Sequence, residues 1–265
     1  MTTTADPGAG AGPRARAAWA DIRPVERACY ATGLALMVSG IFHLGVFAVD
    51  GGPWDGPVSW RKPTTFGVSF GLTLITVTWV ASYLALRPRL RTVLLTALAV
   101  DSVLEVTGVT LQAWRGVPSH INRETPFDST VSTLLAAGGG VLVLVLTTLA
   151  VQAFGRGSAQ QRPSMRLALR AGFAAMLVAL ASGAAMIARG VATEKAGDRQ
   201  LAYHVVGFLK PLHGVCLHGV LVLPALAWLL SRTDWPECRR TRAVTAGICC
   251  YALAVLGAGA LSLAG

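Results

Sequence analysis

Seven long apolar segments constrain the fold of this sequence more than any other feature. Each is about 20 residues or longer, the length an α-helix needs to cross the hydrocarbon core of a bilayer. A membrane β-barrel strand would be about half that length, so helices are favoured over strands. The predicted spans are residues 28–49, 64–86, 92–114, 131–154, 167–188, 207–231 and 243–263. The predicted fold class is therefore all-α, a polytopic membrane bundle of seven transmembrane helices.

Composition agrees with a membrane protein and argues against nucleic-acid binding. Of the 265 residues, 53% are hydrophobic and only 14% charged, whereas soluble domains average about 25% charged residues. The net charge is +10, but the Arg residues form short clusters between apolar segments instead of one basic stripe. The lipid bilayer is thus the predicted partner, and no nucleic acid is expected.

The distribution of Lys and Arg predicts the orientation. Fifteen of the 23 lie in the N-terminal segment and the loops on its side, and eight lie on the other side. Because positively charged loops stay in the cytoplasm, we expect a cytoplasmic N-terminus and an external C-terminus. Residues 1–24 are predicted to be a flexible cytoplasmic tail, and residues 25–265 the seven-helix transmembrane domain. The five cysteines form no CxxC pair and are predicted to be free thiols.

Carboxylates in the third span are the first candidates for chemistry. Asp101 and Glu105 are four residues apart and Gln112 follows seven later, so the three share one helix face. Ionisable groups inside a membrane are costly and normally mark a functional site. The alternative is a structural ion pair or hydrogen bonds to neighbouring Ser and Thr. We assign Asp101 and Glu105 candidate catalytic roles and Gln112 a ligand-binding role.

Three histidines are candidate metal ligands. They are His43 near the outer end of the first span, and His213 and His218 in the sixth. Five residues correspond to about 140° around a helix, so His213 and His218 do not share a face. A packed, hydrogen-bonded role is at least as well supported for each histidine as metal ligation.

Polar residues also collect in the predicted external loops. His120 is a candidate catalytic residue, and the candidate ligand-binding residues besides Gln112 are Lys62, Arg115, Ser119, Asn122 and Lys210. The basic groups suit lipid phosphates or other anions, although snorkelling beside Trp60 and Trp114 explains them equally well. Thr125, Pro126 and Asp128 match a helix N-cap, N1 and N3, which explains those residues without any chemistry.

These residues give the sequence a resemblance to an uncharacterised family of bacterial multi-pass membrane proteins. It rests on a KPxxFG block from Lys62 to Gly67, an RGVxSHxN block from Arg115 to Asn122 followed by TxFD, and an HxxxxH block from His213 to His218 with Leu223-Pro224 after it. Members often have Phe where Ile121 stands and Arg where Lys210 stands. The resemblance implies a shared membrane fold in the bacterial inner (cytoplasmic) membrane, and it supplies no activity.

Three functions follow from these residues. The first is a metal-assisted, membrane-embedded enzyme that acts on a lipid or other amphiphile at the external leaflet, with zinc or iron held by histidines and carboxylates. The second is a proton-coupled transporter or channel that uses Asp101 and Glu105 as a relay. The third is an electron-transfer protein with haem b between two histidines. Whether the protein is an enzyme is left open by the sequence. A lipid or an anionic small molecule is the predicted ligand.

Overall fold

The protein is described by a computed structural model that covers residues 22–264, apart from the side chains of Arg199 and His204. Within this range there are eight α-helices, one 3-10 turn at Arg156–Ser158 and no strands. The helices are α1 (Pro24–Asp50), α2 (Arg61–Ser82), α3 (Pro88–Trp114), α4 (Pro126–Phe154), α5 (Pro163–Lys195), α6 (Arg199–Val205), α7 (Lys210–Leu230) and α8 (Glu237–Ala264). Residues 1–21 of the predicted tail lie outside the described residues. Helix α1 begins at Pro24.

Seven of these helices, all except α6, are long and apolar enough to cross a membrane. The prediction of an all-α bundle of seven spans is therefore confirmed. The main differences concern the fifth span, which continues to Lys195, and the short helix α6, which precedes the sixth span. The orientation in the membrane stays a prediction. We call the end of the bundle that carries residues 51–60 and 115–125 the predicted external end.

Proline marks where several helices begin. Pro24, Pro88, Pro126 and Pro163 are the first residues of α1, α3, α4 and α5. A proline at this position loses nothing, because the N–H it lacks would have had no partner within the helix. At α4 the predicted cap is also confirmed, since the Thr125 hydroxyl accepts a hydrogen bond from the Asp128 amide at 3.1 Å.

Glycines allow α1 and α2 to pack closely. A Cβ atom on Gly67 would lie 2.7 Å from the Cα of Gly40, and one on Gly33 would lie 2.9 Å from the carbonyl oxygen of Gly71. Gly67 and Gly71, spaced as GxxxG, thus allow the close approach of the two helices, and any larger residue would push them apart. Below this contact, the main apolar core joins α2, α3, α4 and α5 around buried residues such as Leu95, Leu149 and Phe173.

One buried ion pair ties the opposite end of the bundle together. Arg91 of α3 is 4% exposed, and its guanidinium lies 3.0 Å from the Glu26 carboxylate of α1. It also donates to the carbonyl oxygens of Ala81 and Leu84 at 2.9 Å each, where α2 ends. Arg91 thus satisfies three groups, one from α1 and two where α2 ends, so its charge is fully used by the fold.

Helices α3 and α4 run antiparallel, and their contacts occur at successive levels. Gln112 meets Asp128 nearest the predicted external end. Deeper in the bundle, the side chain of Leu135 lies against Gly108. Deepest of the three levels, the carboxylates of Asp101 and Glu105 lie against Gly138. This register places the candidate polar residues of α3 at two separate depths.

Candidate functional site

The loop between α3 and α4 folds into the bundle. Ser119 and Asn122 are buried, and the Asn122 amide donates to the Ser132 hydroxyl of α4 at 3.0 Å. Ile121, with φ 59°, is the one residue other than glycine in the described range with positive φ. Its side chain packs against Gly190 of α5. A β-branched residue held in this conformation costs energy, so the packing of the surrounding bundle determines the shape of this loop.

Four polar side chains, which we call the loop network, fasten the two ends of this loop. The Asp128 carboxylate accepts hydrogen bonds from Gln112 at 2.9 Å and from the Thr125 hydroxyl at 2.6 Å, and it pairs with Arg115. Arg115 also donates to the Gln112 side chain, and its guanidinium lies 4.7 Å from the centre of the Phe127 ring. These bonds show a structural task for Gln112, Arg115 and Asp128, while the predicted ligand-binding role of Gln112 and Arg115 stays a prediction.

Asn122 also has its hydrogen bonds filled within the loop. Its side-chain amide donates to the Pro118 carbonyl at 3.1 Å, and its side-chain oxygen accepts from the Glu124 amide at 3.1 Å. The residue is fully buried. Its contacts stabilise the turn that carries Ser119 and His120.

A group of three basic residues, which we call the cation cluster, lies beside this loop. Arg61 and Lys62 begin α2, Lys210 begins α7, and their positive charges act on one another. Arg61 pairs with the exposed Asp55 at 3.2 Å. Within residues 22–264, no hydrogen bond or ion pair joins the ammonium groups of Lys62 or Lys210 to an acceptor.

The helix ends add to this positive potential. Helix N-termini carry partial positive charge and favour acidic residues in their first turn. Neither α2 nor α7 has an acidic residue there or a side chain that caps its N-terminus, and both have lysine instead. Two helix N-termini with unpaired cations therefore meet at one place, an arrangement that suits a bound anion.

His120 is the loop residue on which the charge of the cation cluster acts. Its Nδ1 is 2.9 Å from the Ser119 hydroxyl, and its ring centre is 5.7 Å from that of Phe66. Burial, together with the positive charge of Lys62, lowers the pKa of His120 to about 3. The imidazole is therefore neutral near pH 7 and retains a free lone pair on one nitrogen.

His43 has both ring nitrogens occupied. Its Nδ1 donates to the Ser39 carbonyl at 2.7 Å, and its Nε2 accepts a hydrogen bond from the Trp114 indole at 3.1 Å. The ring also packs against Trp60, with centres 6.2 Å apart. These contacts join α1, α2 and α3 at the predicted external end, and they explain why this buried histidine is tolerated.

His213 and His218 point in different directions, as the spacing predicts. His213 donates from Nδ1 to the Ala179 carbonyl of α5 at 2.8 Å and lies beside Ser182. His218 donates to the Gly214 carbonyl of its own helix at 2.6 Å, and it faces an open groove between α2 and α7 that Thr73 and Thr76 also line. Each keeps a free Nε2, but the two nitrogens do not converge.

Among the side chains that the structure describes, which do not include His204, no three His, Cys, Asp or Glu residues are grouped so that they could hold a metal ion. The zinc, iron and haem assignments therefore stay predictions, and so do the predicted metal ligands His43, His213 and His218. The five cysteines are free, as predicted, and only Cys29 and Cys216 are buried.

The predicted site residues separate into two groups. Lys62, Ser119, His120 and Lys210 meet at the predicted external end, where Arg61 and Phe66 join them. Asp101 and Glu105 lie deeper, since Glu105 is seven residues, or about 10 Å along the helix axis, below Gln112. Arg61 belongs to this site although the sequence did not select it. Its position before the KPxxFG block was the available signal.

Comparison with protein-family models, curated proteins and solved structures finds no match for this chain. The membrane fold is therefore established by the helices themselves, and function is argued from the two groups of polar residues.

Proposed function

We propose that this integral membrane protein binds an anionic lipid or similar amphiphile at the external leaflet of the bacterial inner membrane, and acts on it as an enzyme. The observation that carries the proposal is the cation cluster, with two unpaired lysines, beside the neutral Ser119–His120 pair. The proposal assigns no metal to the reaction, because its residues are a hydroxyl, an imidazole and three cations.

The unpaired lysines support an anionic ligand. Lys62 is partly buried next to two other positive charges. Among the described residues, no carboxylate offsets the repulsion that Lys62 experiences. A phosphate group would neutralise it through charge-assisted hydrogen bonds. Snorkelling alone would place a lysine in water, whereas the charge of Lys62 acts on the half-buried loop residue His120.

An anion at this position would also activate His120. Without a ligand, burial and, second to it, the charge of Lys62 lower the pKa of His120 to about 3, which makes the imidazole a weak base. A bound phosphate would offset the part of this shift that is due to Lys62 and favour the imidazolium, so the pKa of His120 would rise. His120 would then suit general-base catalysis on the bound amphiphile, with the Ser119 hydroxyl held against its Nδ1.

The depth of the site supports an amphiphile over a soluble anion. Lys62 and Lys210 lie in the first turns of membrane-spanning helices, at the level expected for lipid headgroups. Trp60 and Trp114, 4.9 Å apart between ring centres, lie at the same end of the bundle, and tryptophan is enriched at this interface.

Lipid binding is tested by native mass spectrometry of the full chain with phosphatidylglycerol, phosphatidylcholine or inorganic phosphate. We expect preferential retention of phosphatidylglycerol, and about tenfold weaker retention in Lys62→Met, from the loss of one charge-assisted hydrogen bond. Lys195→Met is the matched control, because Lys195 is an exposed lysine of α5 outside the cluster. Equal retention of the two lipids would contradict the proposal, and retention of phosphate alone would show a soluble ligand.

Catalysis is tested separately in proteoliposomes that contain phosphatidylglycerol. Lipid extracts from the wild type should gain a product that is missing with His120→Gln, while both proteins retain the lipid. If the wild type leaves phosphatidylglycerol unchanged, the proposal that the protein is an enzyme for this lipid is contradicted. The proposed binding of the lipid would be unaffected.

A further inference from the structure

The buried carboxylates of α3 differ from the other buried acids of the bundle. Asp101 and Glu105 are each 4% exposed, and the Asp101 Oδ2 atom is fully buried without a hydrogen-bond partner. Within residues 22–264, neither residue forms an ion pair. Glu26 and Asp128, by contrast, each pair with an arginine.

Gly138 of α4 brings the two carboxylates together. A Cβ atom on Gly138 would lie 2.5 Å from Asp101 Oδ1 and 2.7 Å from Glu105 Oε1. Both oxygens therefore occupy the space that a side chain on α4 would fill. Substitution of this glycine would displace them.

The surroundings offer no compensating charge or donor. Helices α1, α2 and α4 pack against α3, but among the described residues the only charged group that acts on either carboxylate is the other carboxylate. Ser102, the adjacent hydroxyl on α3, donates to the Leu98 carbonyl of its own helix at 2.7 Å. Two ionised carboxylates here would be costly, so the pair needs a positively charged occupant.

The chemistry of the pair favours a proton over a metal ion. Calcium takes about six to eight oxygen ligands, and two carboxylates against a helical glycine supply too few oxygens for such a shell. A proton needs only one carboxylate oxygen to bind and another to accept its hydrogen bond.

An apolar layer separates this pair from the predicted external end. Val109 of α3 packs with Val131 and Leu135 of α4, and Phe66 of α2 covers them. We call these four residues the plug. The plug lies between the Asp101–Glu105 level and the loop network, because Leu135 contacts Gly108 and Asp128 contacts Gln112. Phe66 also touches His120, so the plug borders the external site.

From these contacts we infer that Asp101 and Glu105 form a proton-binding site inside the membrane, which the plug seals from the predicted external side. The site goes beyond the proposed lipid site and uses none of its lysines. Proton exchange with the predicted external side requires movement of the plug.

Infrared spectroscopy of the full chain tests the bound proton. The wild-type spectrum near neutral pH should contain the C=O stretch of a protonated carboxyl group, and this band should vanish in the double variant Asp101→Asn/Glu105→Gln. A wild-type spectrum without this difference would overturn the proposal, since the pair would then be ionised.

Exchange in heavy water tests the seal. The band should shift slowly in the wild type and several-fold faster in Leu135→Ala and Val109→Ala, each of which opens the plug. Leu134→Ala, an exposed neighbour, is the control and should match the wild type. Melting temperatures are measured to verify that each variant is folded.

Equal exchange rates in all three variants, or a carboxyl band that never shifts in heavy water, would overturn the proposal. Neither experiment depends on lipid binding, so its failure is distinct from that of the proposed function.

Discussion

Arg91 and Lys62 are both cations that begin a membrane-spanning helix, yet their surroundings are opposite. Arg91 at one end of the bundle pairs with Glu26 and bonds the carbonyl oxygens of two further residues. Lys62 at the other end has two cations as neighbours. A charge with internal partners serves the fold, whereas a charge that the fold leaves uncompensated indicates a ligand from outside.

The largest expected effect is on the structural side of this comparison. Arg91→Met should lower the free energy of unfolding by about 3–5 kcal/mol, because it leaves Glu26 buried without its main partner. Thermal unfolding in detergent measures the loss. The control is Arg89→Met, at an exposed arginine two residues earlier, which should change little. If Arg91→Met and Arg89→Met had similar stability, Arg91 would not be a structural cation, and its contrast with Lys62 would be lost.

The loop network should behave like Arg91 on a smaller scale. Asp128→Asn should cost about 2–3 kcal/mol, since it weakens the charge-assisted bonds to Arg115 and Gln112. Glu124→Gln, at an exposed acid of the same loop, is the matched control. If Asp128→Asn keeps full stability but lipid retention falls, the network belongs to the ligand site.

His120 should make the bundle sensitive to acid. Its pKa is about 3 in the folded protein and about 6.5 in the unfolded chain. Its neutral form thus favours folding above pH ~6.5, and this contribution is lost as the pH falls through 6.5 towards 3. At pH ~5.5 the loss is roughly 1 kcal/mol. The melting temperature of the wild type should therefore fall more steeply between pH ~7 and ~5 than the melting temperature of His120→Gln. Parallel declines would show that His120 is well solvated.

The smallest effect on stability is expected at Lys62. Lys62→Met removes repulsion from Arg61 and Lys210, so its melting temperature without ligand should equal or slightly exceed that of the wild type, a change within about 0.5 kcal/mol. Lys195→Met is the control. A marked loss of stability in Lys62→Met would mean that Lys62 has a structural partner and resembles Arg91.

The sequence predicted the fold well because apolar length alone determines membrane spans. The Thr125 cap also depends on a local pattern, and it is confirmed. The hydrogen bond between Trp114 and His43 and the pairing of Arg91 with Glu26 could not be predicted, since each joins residues more than 60 positions apart. The sequence also did not separate Glu105 from His120, which lie at different depths, because the loop that carries His120 takes its shape from the bundle around it.

The protonation of His120 tests the central claim most directly. The pKa of ¹⁵N-labelled His120 is measured in the full-length protein in neutral detergent, with and without short-chain phosphatidylglycerol, and His120→Gln assigns the signal. We expect a higher pKa with the lipid, because the bound phosphate offsets Lys62. Short-chain phosphatidylcholine should leave the pKa unchanged. A pKa of His120 that saturating phosphatidylglycerol does not raise would contradict an anion site beside Lys62.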